Sequence, residues 1–439
     1  MIVIGKSTLV FDITYIFGEK STNKYITLSE AGEVELVDAA VHELTNNCGE
    51  VLICTQNEAK TEVKLREYGF RSGVDYFFFS DLKYGFINMQ NGLEKDERDY
   101  LWNIYCKIFY SPHCRYEPCH RPFYEMEIAY NGDVFTCCSA IMPYSIGNMS
   151  SGTLENIWHS ARAKLLRLSM LNGTAVFCSR EKCFRLIECK KAELPKRVQT
   201  SDYPLIVNMA VDESCNLSCP SCRSELIIAN DVSVQKKLDW IDSLEPRFYQ
   251  NVRQIYVAGN GECMISRVYQ EFLLHKVKER FSGSLHLVTN GQVFYVPLIN
   301  EITERFRPEV LISVDAWEMN TYEKIRRGAR YRSLLANLHK YLELRNKGIL
   351  SGVVVRFVIQ SANYTQIPDF IAGMRKFGVD RMEFTRLVNG GAFSPELFRS
   401  NSLLDENGVL LKEYENFFTK KVKPLLADDV AMDPAFLPG

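Results

Sequence analysis

Three thiols within eight residues, Cys215, Cys219 and Cys222, constrain this chain more than any other feature. Their spacing is C-x3-C-x2-C, and they directly follow the apolar run Leu205-Ile206-Val207-Asn208-Met209-Ala210-Val211, which reads as a buried strand. Three thiolates on one tight loop can hold three corners of an iron–sulfur cube. A 4Fe-4S cluster takes four ligands, so such a loop leaves one iron for another group. A zinc site would need a fourth Cys or His at ligand spacing. The next candidates downstream are the distant Cys263 and His275.

The chain has 14 cysteines, and no basic segment precedes its first apolar residues. Lys6 and Asp12 interrupt those residues, so a buried first strand is expected rather than a signal peptide. Cysteines in a chain without an export signal point to metal ligation and a cytoplasmic location rather than to a disulfide framework. Seven of them, Cys114, Cys119, Cys137, Cys138, Cys178, Cys183 and Cys189, fall in one 76-residue stretch. Cys48, Cys54, Cys106 and Cys263 are scattered and read as small buried hydrophobes. With 52 basic and 54 acidic residues, the charge balance excludes a general nucleic-acid or membrane surface. No uninterrupted apolar run reaches the length of a membrane span.

A length of 439 residues implies two or three domains. Residues 1–95 read as a small α/β unit of degenerate Rossmann type, with Val51–Cys54 and 75–79 as strands and 58–68 as a helix. Gly5-Lys6-Ser7-Thr8 imitates the end of a phosphate-binding loop but lacks the glycine that would open it. Residues 100–195 form the cysteine-rich module. Residues 203–400 alternate strand and helix, with strands expected at 206–211, 254–258, 285–289, 310–314, 353–359 and 382–384. The clearest helical run is 321–346. Six such βα units fit a partial (β/α)6 barrel, and residues 401–439 read as a helix and an irregular tail.

In this setting the cysteine loop resembles that of the radical S-adenosylmethionine (SAM) superfamily. The second strand exits through Ala258-Gly259-Asn260-Gly261-Glu262, where that family has a GGE-type motif. The third ends in Thr289-Asn290-Gly291, the fourth in Ser313-Val314-Asp315, and the fifth in Arg356-Phe357-Val358-Ile359-Gln360 before Asn363. Thr321 to Gly328 is similar to a helix of the SPASM-associated branch. The resemblance implies that Cys215, Cys219 and Cys222 ligate a 4Fe-4S cluster whose open iron chelates SAM. Gly259, Gly261 and Glu262 would hold the methionyl amine, with Asn290, Ser313, Arg356 and Gln360 as further SAM contacts. One electron from the cluster would cleave SAM to methionine and a 5′-deoxyadenosyl radical, which abstracts hydrogen from substrate. A reducing donor of flavodoxin or ferredoxin type is then implied. One departure stands out: the family usually carries an aromatic before the third cysteine, and this chain has Ser221.

Cys119, then Asn131-Gly132-Asp133-Val134 and Cys137-Cys138, resemble the opening of a SPASM auxiliary-cluster domain, with Ile146-Gly147-Asn148 and 154–158 following. Cys178-x4-Cys183 would close the site. The resemblance implies a second 4Fe-4S cluster on Cys119, Cys137, Cys178 and Cys183, with Cys114, Cys138 and Cys189 as alternates. A structural zinc and a metal-free relic remain open. Such domains normally follow the barrel, and here the module precedes it. The expected function is hydrogen abstraction from a peptide or protein. The same chemistry on a carbohydrate or small metabolite is the alternative, and a non-catalytic iron–sulfur scaffold or electron carrier is the reading from another class.

Overall fold

The computed structural model describes residues 2–6, 24–28, 33–46, 51–54, 58–72, 75–78, 103, 116–117, 119–142, 144–171, 173–175, 177–178, 182–183, 185–186, 201–257, 259, 261–389 and 392–437. Contacts divide the chain into two units. One comprises Met1–His120, His159–Phe177 and Ile187–Gln199, the other Arg121–Trp158, Cys178–Leu186 and Thr200–Gly439. The cysteine-rich stretch is therefore shared between them.

The first unit contains a parallel four-stranded sheet of β1 (Ile2–Lys6), β2 (Lys24–Leu28), β3 (Val51–Cys54) and β4 (Phe77–Phe78), in the order β2-β1-β3-β4. Leu36, Val37 and Ala40 of the helix Glu33–Asn46 pack with Val51, Ile53, Leu65 and Tyr76 in its core. Ser7 and Thr8 of the phosphate-loop imitation lie outside the described residues.

The second unit is built on one ten-stranded sheet. Its strands are β5 (Glu125–Ala129), β6 (Asp133–Phe135), β7 (Gly147–Asn148), β8 (Ile206–Ala210), β9 (Gln254–Val257), β10 (Ser284–Thr289), β11 (Glu309–Ser313), β12 (Gly352–Ile359), β13 (Arg381–Arg386) and β14 (Val430–Met432). From β8 to β14 each strand pairs in parallel with the next in sequence. Helices cross between them, as parallel pairing requires. The strand cores, such as Val353-Val354-Val355, are buried on both faces and rich in β-branched residues, the pattern of a covered parallel sheet.

Three features depart from the sequence expectations. The helical run 321–346 is two helices, Met319–Ile325 and Tyr331–Asn346, broken where Gly328 adopts φ +95°. The tail is not irregular throughout: β14 extends the sheet beside β13, held by a buried bidentate pair between Arg386 and Asp433 at 2.7 and 2.8 Å. Finally, β5 pairs in parallel with β8, and β6 and β7 follow it antiparallel. The cysteine-rich hairpin thus continues the large sheet at its β8 edge. Trp240, on the helix Asp231–Asp242, closes over this hairpin. Its indole donates to Ser150 Oγ at 3.2 Å, and a Cβ at Gly132, where φ is +86°, would sit 2.7 Å from its ring.

Candidate active site

At the exit of β8 the chain passes through buried Asp212 before reaching the cysteines. Asp212 accepts from Lys237 Nζ and from Ser266 Oγ, each at 2.7 Å. Burial alone would raise its carboxyl. The hydrogen bonds from Lys237, Ser266 and Ser214, with the Lys237 charge, outweigh that and hold it below the usual range. The loop beyond is pinned by backbone bonds. Cys215 N donates to Ile227 O at 2.9 Å, Ser218 N to Arg327 O at 3.1 Å, and Cys222 N and Arg223 N to Cys219 O at 2.9 and 3.0 Å.

Two of the three sulfurs have hydrogen-bond donors, and the third lies beside a cation. Leu217 N and Asn290 Nδ2 approach Cys215 Sγ at 3.4 and 3.7 Å, Arg223 Nη2 lies 3.5 Å from Cys222 Sγ, and the Arg326 charge acts on Cys219. Burial pushes the Cys215 and Cys219 thiols up, whereas Cys222 is exposed. A bound metal would displace those protons, since a coordinating thiol is deprotonated. Among the described residues, no three Cys, His, Asp or Glu side chains converge as ligands of a single ion.

The exit of β9 passes hard against that of β8. A Cβ on Gly259 would sit 2.4 Å from Ala210 Cβ, and one on Gly261 would sit 2.5 Å from Asp212 O. Gly259 also has φ +137°. Close backbone approach therefore requires glycine at both positions. Ala258 and Asn260 lie outside the described residues. Glu262 is buried. It accepts from Thr289 Oγ1 at 2.7 Å, Asn290 N at 2.6 Å and Met264 N at 3.1 Å, tying the exit of β9 to that of β10. Burial pushes its carboxyl up, against these three bonds. Asn290 completes the link to the cysteine loop by donating to Asn216 Oδ1 at 2.8 Å.

Beyond half-buried Ser313, Asp315 sits at φ +61° and accepts from Val358 N at 2.8 Å. Its other oxygen pairs with Arg326 at 2.6 Å. Gln360 is buried, and its backbone N donates to Asn363 Oδ1 at 2.8 Å. Arg356 stands beside Ser313 in the sheet register. It pairs with Glu383 at 2.8 Å, four residues before Gln360 on the chain. Asp212 and Arg223 were not singled out for the site by the sequence reading, and Asp315, read there in a strand-end motif, was not paired with Arg326. The available signals were an arginine directly after the last cysteine and an aspartate directly before the loop's Glu-Ser.

Arg356 lines a cavity of ≈540 Å³ together with Glu127, Asn208, Tyr256, Cys137 and Cys138. Several charges facing it are paired: Arg356 and Arg381 with Glu383, at 2.8 and 3.0 Å, and Arg121 with Glu125 at 2.6 Å. Asn208 Nδ2 donates to Glu127 at 2.7 Å, while Asn208 Oδ1 is buried with no partner among the described residues. Cys138 is pushed up to about 11 by burial and by Glu127, against backbone N–H bonds from Ala140 and Ile141. Cys178 and Cys183 are half-buried in the same unit, Cys119 belongs to the other, and Cys114 and Cys189 lie outside the described residues.

Residues 119–190 match the family model of SPASM, an iron–sulfur cluster-binding domain. That match falls on the cysteine-rich segment of the chain. An iron–sulfur cluster is the group that cysteines of such a domain bind. No curated protein matches the chain. Among solved structures it is similar to Streptococcus suis SuiB bound to S-adenosylmethionine, at 14% identity over 52% of this chain and 50% of that one, with a TM-score of 0.37. The structure of anSMEcpe with bound AdoMet and Cp18Cys peptide shares 14% identity over 52% and 62% of the two chains, with a TM-score of 0.35. TYW1 with a lysine-pyruvate adduct bound shares 15% over 51% and 70%, at 0.31. The likeness thus spans about half the length of SuiB.

Proposed function

We propose that this chain is a radical SAM enzyme, with β8–β13 as its partial barrel and Cys215, Cys219 and Cys222 as its cluster ligands. One observation carries the reading. The three cysteines lie at the carboxyl end of a parallel strand, with hydrogen-bond donors on the Cys215 and Cys222 sulfurs, and the exits of β9 and β10 converge on the same loop. Parallel βα folds place their chemistry at that end. The donor set fits the cofactor: three thiols for three irons of a cube, with one iron left over.

A 4Fe-4S cluster and SAM bound here would supply a 5′-deoxyadenosyl radical for hydrogen abstraction. The chain's own part is positional. Asp212 and Lys237 fix the start of the loop, and Glu262 aligns the ends of β9 and β10. Gly259 lies exposed beside the loop and keeps the approach open to the methionyl group of SAM. Asn290 holds Cys215 from the β10 side. In the SPASM segment, Cys137, Cys178 and Cys183 would be ligands of the auxiliary cluster.

The substrate we assign is a peptide or protein, with a flavodoxin- or ferredoxin-like electron donor. The cavity favours a second reading, a small polar metabolite such as a carbohydrate, because paired acids and bases and the spare Asn208 acceptor line it. Anaerobically reconstituted, reduced protein should release 5′-deoxyadenosine from SAM. A fully iron-loaded sample that releases none refutes the enzyme reading. Replacing Cys215, Cys219 and Cys222 together by Ala should lower the iron content by about four per chain. Transfer of deuterium from a labelled peptide or a labelled sugar into 5′-deoxyadenosine separates the two substrate readings.

A further inference from the structure

The groups facing the three sulfurs differ in charge. Cys215 receives neutral donors, a backbone N–H and an amide. Cys222 and Cys219 each face a guanidinium. Arg223 is buried and makes no salt bridge among the described residues; its hydrogen bonds go to the Glu213 carbonyl and the Cys222 sulfur. Arg326 is countered directly by Asp315 at 2.6 Å, with the two side chains 15% and 6% exposed. One cation beside the loop thus makes no direct ion pair, with the Glu213 carboxylate acting on it only through space, and the other is paired with a carboxylate. Neither arrangement is needed to bind iron, which the thiolates do alone.

We propose that Arg223 raises the reduction potential of the cluster held by Cys215, Cys219 and Cys222, and that Asp315 limits the same effect of Arg326. This inference rests on the radical SAM reading of the site. Reduction adds one electron from the external reductant to the cluster and requires no proton from these side chains. The added negative charge is stabilised by a cation hydrogen-bonded to a ligand sulfur, more strongly where water is excluded. A carboxylate on the second cation opposes it. Asp315 suits a test, because Asn also tolerates its left-handed backbone and can keep the Val358 bond.

The test is a redox titration of the reconstituted full chain without SAM, followed by electron paramagnetic resonance. The signal scored is the one absent from the Cys215→Ala/Cys219→Ala/Cys222→Ala variant. Arg223→Gln should make that cluster about tenfold harder to reduce at a fixed potential, a shift of about 59 mV for a one-electron couple. Arg223→Lys, which keeps the charge, should stay within about threefold of the wild type. Asp315→Asn should shift in the opposite direction to Arg223→Gln. Unmoved potentials, or shifts of the same sign in Arg223→Gln and Asp315→Asn, overturn the inference. If Arg223→Gln fails to retain iron, the sign of the Asp315→Asn shift decides. A wild-type chain that shows no such cluster signal would instead sink the radical SAM reading.

Discussion

Lys237→Met removes a cation that the fold has buried on purpose of structure rather than solvation, and its cost can be worked from the geometry. Lys237 Nζ and Asp212 Oδ1 are 2.7 Å apart, with side chains 7% and 1% exposed. At an effective dielectric of about 20 their attraction is about 6 kcal/mol before desolvation is subtracted. Breaking such a pair by removing one partner costs about 3–5 kcal/mol. Asp212 keeps Ser266 Oγ at 2.7 Å, which places the expected loss near the lower end, about 3 kcal/mol. The pH dependence gives the sign. In the wild type the Asp212 carboxyl lies below its usual value, so its contribution is complete above the unfolded pKa and is lost only as pH falls through the depressed folded value. Without Lys237, burial dominates and the carboxyl rises above its unfolded value. The variant's deficit should then shrink on acidification, by up to about 1.4 kcal/mol per pH unit below the raised pKa. Anaerobic thermal unfolding of the full chain should show a Tm lower by at least about 5 °C at pH 7.5, and a smaller gap at pH 5.5. Asp212→Asn combined with Lys237→Met should be less destabilised than Lys237→Met alone. A deficit under about 1 kcal/mol, or one equal at both pH values, would refute the reasoning.

Other perturbations test neighbouring parts of the structure. Gly261→Ala drives a Cβ to 2.5 Å from the Asp212 carbonyl. It should abolish most SAM cleavage while costing about 1–3 kcal/mol of stability, measured by 5′-deoxyadenosine release and unfolding. Arg386→Ala leaves Asp433 buried without its bidentate partner and should cost about 3–5 kcal/mol, with faster amide exchange confined to β13 and β14. Gly373→Ala would place a methyl 2.1 Å from the Trp317 ring and should lower stability by about 1–3 kcal/mol, with altered tryptophan fluorescence.

Much of the site was legible locally. The cysteine spacing, the β8 run before it and the Gly259–Glu262 exit each announce themselves within a dozen residues. The parallel strands were legible too, because a strand covered on both faces must be apolar throughout. The helix break at Gly328 was less so. Residues 321–346 carry a helical pattern on either side of it, and a non-helical turn from Arg326 to Arg330, with Gly328 left-handed, interrupts them.

By itself, then, the amino-acid sequence determined which residues could ligate metal and which segments had to be buried, since thiol chemistry and apolar periodicity are properties of short stretches. The tertiary structure alone decided which charges meet. Folding pairs Lys237 with Asp212 and Arg356 with Glu383, and it brings Asp433, expected in an irregular tail, to Arg386. The pairing of β5 with β8 belongs to the same class. A buried charge or an open strand edge is stable only when its partner arrives, and that partner comes from a remote part of the chain that local propensity does not encode.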